Sequence, residues 1–224
     1  MLKPKKKITK KELKKDPFLE FINDAQNWLT ENKTIIFRIA IGVVVAIALI
    51  VFIGKNNTTN KMEADALLGK AFLSQDLGDV ENAKFQFQSL IEDYASTDAG
   101  NQGFYYLGKM YFEDANFEEA EKSISEYVKK GKNAELLAAS YRMLASIAVS
   151  NDDNQSAESY LQKAANNAEG TVFEYDFALL YADQLNKNDN KSKALKIVND
   201  ILDDDEILYS TKKKAEELMG RIEG

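Results

Sequence analysis

The chain has 224 residues, no cysteine, no histidine, two prolines and 29 % charged residues. Without cysteine there is no disulfide framework, no thiolate metal site, no thiol nucleophile and no lipid-modified cysteine anchor, which removes an outer-membrane lipoprotein. Without histidine the commonest general base and metal ligand is missing, and most hydrolase constellations go with it. The net charge of −7 argues against nucleic acid as a partner. The charge is also divided unevenly. Up to Arg38 there are ten basic and five acidic residues, and the remainder carries 19 basic and 31 acidic ones.

Three regions follow in chain order: residues 1–33, 34–54 and 55–224. The first is a lysine-rich tail with Lys3, Lys5, Lys6, Lys7, Lys10, Lys11, Lys14 and Lys15. Asp16-Pro17 reads as a helix cap followed by proline at the first helical position. Phe18, Ile22, Ala25 and Leu29 then form one apolar stripe, flanked by Phe21 and Trp28. Two readings stand for this helix. One is an interfacial helix with Trp28 near the headgroups and the lysines on anionic lipid. The other is a partly ordered tail whose lysines only fix topology.

From Ile35 to Ile53 the only charge in 19 residues is Arg38. At ~1.5 Å per residue the run spans roughly 28 Å, close to the ~30 Å hydrocarbon core of a bilayer. Arg38 lies one turn from the basic end, where it can snorkel to the headgroups. A cleaved secretory signal would have a short charged leader and a small-x-small site, and Phe52-Ile53-Gly54-Lys55 offers none. The run therefore reads as an uncleaved signal anchor. The basic residues before it hold the N-terminus in the cytoplasm and place everything after Gly54 outside.

The third region is periodic. Ala83, Ala120, Ala157 and Ala194 stand 37 residues apart. Four residues after each come Phe87, Ile124, Leu161 and Val198; twelve before come Ala71, Gly108, Ala145 and Ala182. Each unit thus has two apolar helical stripes, with small residues where the helices must touch. Polar turns such as Asp76–Asp79 and Ser150–Gln155 separate them. The pattern predicts an all-α helical-hairpin solenoid of about four units. One period beyond the last unit, Ala215, Leu218, Met219 and Ile222 predict a lone helix. Lys212, Lys213, Lys214, Glu216, Glu217 and Arg221 give it charge, as a C-terminal capping helix requires.

The second unit reads Phe104-x-x-Leu107-Gly108-x-x-Tyr111, then Phe117-x-x-Ala120-x-x-x-Ile124-x-x-Tyr127. This closely resembles the tetratricopeptide repeat signature. The other units match it at the small and apolar positions, although the spacing exceeds the usual ~34 residues and no proline closes a unit. The layout as a whole is Trp28-Leu29-x-Glu31-Asn32-Lys33, one span, then an acidic repeat domain. It resembles the ancillary SecYEG translocon subunit family of the bacterial inner membrane. The tail here is longer and richer in lysine than that family's. The resemblance implies a periplasmic repeat domain and, as partners, Sec translocon subunits, periplasmic chaperones or emerging chains.

In such a solenoid the first helix of each unit lines the concave face. Register places Leu68, Phe72, Tyr105, Lys109, Phe112, Arg142, Val149, Leu179 and Asp183 there. Repeat domains that grip a chaperone's terminal carboxylate use a fixed set of Lys, Asn and Arg. Leu68 and Phe72 stand where the leading Lys and Asn would be, so carboxylate capture is not expected. An apolar groove suits extended segments or a partner's apolar helix. The other reading is that these side chains pack against the neighbouring unit. Chemistry of other kinds is not expected. Counting from Asp152, an EF-hand glycine and glutamate would fall on Ala157 and Lys163, so Asp152-Asp153-Asn154 reads as a solvated turn. Gly100 to Gly108 contains no phosphate-loop spacing. No cofactor, metal or catalytic set is expected. The sequence points to a non-enzymatic, membrane-anchored adaptor for export or early folding. A scaffold for envelope assembly or division machinery is the alternative, and an organelle import receptor would require the basic tail to cross the membrane.

Overall fold

The computed structural model describes residues 17–224, and among them the regular elements are ten α-helices. The lysine cluster from Lys3 to Lys15 and the Asp16 cap lie outside the described residues. Two compact units divide between Thr58 and Thr59.

In the first unit, α1 runs Pro17–Glu31 and begins at the proline that the sequence places there. Phe21, Trp28 and Leu29 are exposed along it. The helix α2 spans Lys33–Asp76 and so contributes to both units. Its segment Lys33–Val51 is long and apolar enough to cross a membrane, and none of it is buried.

The second unit is a stack of helical hairpins. The last turns of α2 pair with α3 (Val80–Tyr94), and α4 (Asp98–Glu113) pairs with α5 (Phe117–Lys130). Next come α6 (Ala134–Ser150) with α7 (Asn154–Ala168), and α8 (Glu174–Lys187) with α9 (Lys191–Leu202). A final helix, α10 (Tyr209–Glu223), closes the stack. Ala83, Ala120, Ala157 and Ala194 are fully buried, each where one helix of a hairpin crosses the other. Small residues are needed there because side chains at a crossing set how closely two helices approach.

The turn inside each hairpin is built the same way. Gly78, Ala115, Asp152 and Asp189 all have positive φ, between 58° and 77°, at the 37-residue period. The next residue's N–H reaches back to close the preceding helix. Asp79, Asn116, Asp153 and Asn190 donate to the carbonyls of Ser74, Tyr111, Ala148 and Leu185. This is the left-handed helix stop that satisfies carbonyls in the last turn of the helix. Asp79 and Asp153 then cap the second helix of their hairpins, accepting from the N–H groups of Asn82 and Ser156. The acidic run at Asp152–Asp153 is thus a turn and a cap.

The core is a series of neighbouring clusters along the stack. Phe87 stacks on Tyr106, and Phe72 meets both rings edge-on. Ala120, Ile124, Tyr127, Met143, Leu144 and Ile147 join the second hairpin to the third. Burial, with Tyr105 and Tyr106 nearby, pushes the Tyr127 hydroxyl up to about 12, so it stays neutral at physiological pH. Leu185, Val198, Ala215, Leu218 and Ile222 seal the C-terminal end beneath α10.

Candidate binding groove on α6, α8 and α10

Three adjoining cavities lie along the first helices of the C-terminal half, and Leu180 lines all three. One of about 450 Å³ is bounded by Asp176, Leu179, Asp183, Lys214 and Arg221 among others. One of about 310 Å³ is lined by Glu135, Ala139, Arg142, Phe173 and Phe177. The third, about 280 Å³, is lined by Arg142, Ser146, Val149, Asp183 and Lys187 among others. Leu180 itself is 42 % exposed.

The repeat explains why Leu180 is unusual. One and two periods earlier the same position holds Met143 and Tyr106. Met143 is buried, and Tyr106 is packed between Phe72 and Phe87. At that position the first helix of a unit leans on the hairpin before it. The link from α7 to α8 runs from Glu169 to Phe173, whereas α3 joins α4 through Ala95, Ser96 and Thr97 alone. Gly170, at positive φ, and the hydrogen bond from its N–H to Glu174 shape this longer link. Next to it, Leu180 is left open in a trough whose floor is apolar.

The rim is charged. Asp183 pairs with Lys187 at 2.8 Å and with Arg221 of α10 at 3.1 Å, and Lys214 pairs with Asp176 at 2.7 Å. Burial alone pushes the Asp183 carboxyl up, but Lys187 and Arg221 outweigh it and hold the carboxyl below the usual range. Arg142 is exposed and makes no ion pair with another described residue. The trough therefore offers apolar depth, one unengaged guanidinium and a tied acid–base rim.

Of the residues assigned by register, Arg142, Val149, Leu179 and Asp183 come together here. Arg142 and Val149 are exposed, Asp183 is engaged at the rim, and Leu179 is buried in the C-terminal core. The other five lie in the N-terminal half. Tyr105 is 7 % exposed and belongs to the core. Phe72 and Leu68 are half-buried against the first hairpin, and Phe112 packs on Phe117. Lys109 is partly exposed and pairs with Glu113 at 3.5 Å. Leu180 escaped register reasoning because Leu179 beside it was assigned outward. The 37-residue alignment with Tyr106 and Met143 points to a packed position, so the sequence carries no signal that Leu180 is open.

A stack of antiparallel helical hairpins with a groove on its first helices defines an α-solenoid repeat protein, an architecture whose extended surfaces bind other proteins. The chain matches the model of the tetratricopeptide repeat-like domain over residues 26–196 and belongs to that family. Among solved structures it is similar to YrrB, described as a tetratricopeptide repeat protein with an unusual peptide-binding site. That likeness has a TM-score of 0.52 and 18 % identity, covering 70 % of this chain and 76 % of that one. PilF of Pseudomonas aeruginosa is also similar, with a TM-score of 0.43 and 13 % identity over 73 % of this chain and 90 % of that one. No curated protein matches the chain significantly.

Proposed function

We propose that the chain is a non-enzymatic, membrane-anchored adaptor that holds a protein segment in the groove around Leu180. The observation that carries this reading is the open Leu180 trough, in a position that the second and third units fill with the packed side chains of Tyr106 and Met143. An apolar side chain seated on Leu180 gains most where water is already poorly accommodated, and the charged rim sets its orientation. Anchoring is supported by the unburied apolar segment Lys33–Val51, which also falls within the stretch that matches the family. The excess of basic residues before it favours a cytoplasmic N-terminus and a repeat domain on the outer face of a bacterial inner membrane. The resemblance in layout to the ancillary SecYEG subunits makes the Sec channel, its emerging chains or periplasmic chaperones the partners to test.

The test is co-purification of the full-length protein in mild detergent, with and without Leu180→Asp. Recovery of Sec channel subunits or periplasmic folding factors, reduced about tenfold or more by the substitution, is the expected result. Recovery of division or cell-wall proteins in their place moves the function to an envelope scaffold. Recovery unaffected by Leu180→Asp, with the helical content intact, removes the groove from the reading.

A further inference from the structure

The first helix of the repeat stack carries a second apolar face that the rest of the repeat unit, residues 59–224, leaves uncovered. Its core face, with Ala64, Ala71 and Phe72, packs into the first hairpin. On the opposite side Met62, Ala66, Gly69, Leu73 and Leu77 follow one another at intervals of four, three, four and four residues. All five are exposed, Met62 at 67 %, Leu73 at 58 % and Leu77 at 75 %. A Cβ built on Gly69 would meet nothing within 4 Å. The stripe runs on the order of 22 Å along the helix at ~1.5 Å per residue.

The period identifies what this face is. One unit later, Met62, Ala66, Gly69 and Leu73 become Ala99, Gly103, Tyr106 and Met110. Two units later they become Leu136, Ser140, Met143 and Ile147. Ala99, Gly103, Met110, Ser140, Met143 and Ile147 are buried, and Tyr106 and Leu136 are half-buried. Gly103 shows against what: a Cβ there would lie 3.1 Å from Ile91 and 3.3 Å from the carbonyl oxygen of Phe87, both on the preceding hairpin. The stripe is therefore the stacking face of the solenoid, and within residues 59–224 no hairpin precedes the first unit to cover it. The other end of the stack is finished by α10, whose outer face is charged. The first helix has no such polar finish, and solenoid ends need one to stay soluble.

We propose that a second copy of this chain covers the face, the two helices packing side by side and parallel about a two-fold axis. Two features select this occupant. The 4–3–4 spacing of Met62, Ala66, Gly69 and Leu73 is that of a close helix–helix seam, and Gly69 with Ala66 lets two backbones come close. Asp65 and Lys70 border the stripe on opposite sides, and neither is in an ion pair with another described residue. In a parallel pair with this seam, Asp65 of each copy faces Lys70 of the other, five residues along, and the two-fold axis makes the contact twice. The nearby carboxylate of Glu63 is already engaged by the Tyr94 hydroxyl at 3.1 Å, which leaves Asp65 as the unengaged acid at the seam. The same contact would place the Leu180 troughs of two chains in one assembly, though it does not depend on the groove reading.

The absence of native cysteine makes the test direct. Full-length Gly69→Cys and Leu73→Cys variants, each with a single cysteine, are oxidised in mild detergent, with Glu92→Cys on the exposed face of α3 as the control. Disulfide-linked homodimer at either stripe position, well above the control, is expected. Adding Asp65→Lys sets lysine against lysine twice and should cut that dimer about tenfold. Adding Lys70→Asp to the same chain should bring it back. All these positions are exposed, so helical content by circular dichroism should not change, and the second stripe position guards against a defect at one site. Equal dimer at Glu92, no dimer at either stripe cysteine, no effect of the charge reversal, or capture of a different protein by the stripe cysteine would each overturn the proposal.

Discussion

Four residues at one repeat position show how a shared backbone tolerates different side chains. Gly78, Ala115, Asp152 and Asp189 all take the left-handed conformation that ends the first helix of a hairpin. Glycine adopts it freely and aspartate tolerates it, but alanine is strained by its Cβ. Ala115→Asn should therefore raise stability by about 0.5–1 kcal/mol, and Gly78→Ala should lower it by about 1 kcal/mol. Paired urea melts of the two variants read both signs at once. Gly108 is constrained by space instead. A Cβ there would lie 2.7 Å from Ile124 Cγ1 and 3.1 Å from the Ile124 nitrogen. The other units carry alanine at this position, so the second hairpin is the more closely crossed. Gly108→Ala should cost about 1–3 kcal/mol despite alanine's better helix propensity. A midpoint equal to or above the native one would show that Ile124 moves aside. The sequence shows that position 108 must be small. Only the crossing distance shows that it must have no side chain at all.

At the scale of elements, α10 is held to α8 by apolar and ionic contacts that respond differently to pH. Asp183 binds Lys187 within α8 and Arg221 of α10, and its folded-state carboxyl lies below the ordinary range. A depressed carboxyl contributes stability above its unfolded value of ~3.9, and that contribution is lost as the pH falls through the folded value. Docking of α10 should thus weaken below about pH 4, before the alanine-packed crossings of the inner hairpins respond. Asp183→Asn should weaken the end at neutral pH by about 1 kcal/mol and flatten this acid dependence. Amide exchange in α10 measured from pH 7 to pH 3 checks it, and an unchanged profile in the variant would assign the acid response elsewhere. The capping helix itself was legible, because Ala215, Leu218 and Ile222 continue the period. Its link to Asp183 was not, since a residue assigned to the groove also serves as the tie between two helices.

Across the whole repeat unit the core is a chain of neighbouring contacts and not one central cluster. Ala71, Phe87 and Leu107 close its beginning, Tyr127 and Met143 its middle, and Leu185, Val198 and Leu218 its end. Stability in such a stack is a sum of unit and interface terms, so damage at one end stays local. Leu218→Asp places an unpaired charge in the C-terminal cluster. It should speed amide exchange in α9 and α10 at least about tenfold while α4 to α7 keep their protection. A single cooperative loss over all hairpins would contradict the stacked description. The same arrangement explains why the open trough lies where it does. Where each hairpin packs on the last, the first helices bury their stacking positions, and the longer link before α8 leaves Leu180 uncovered.

The sequence by itself determined the helical period, the hairpin unit, the terminal helix and the apolar run near the N-terminus. These depend on local spacing, since residues three, four and seven apart share a helix face in any context. Tertiary structure decided which apolar residues are spent in the core and which remain open. Leu179 and Leu180 carry the same side chain, yet Leu179 is buried and only edges the trough while Leu180 is 42 % exposed in it. The difference arises from a link a few residues longer and a rotation of about 100° between successive helical positions. Neither has an energetic consequence until the preceding hairpin is in place.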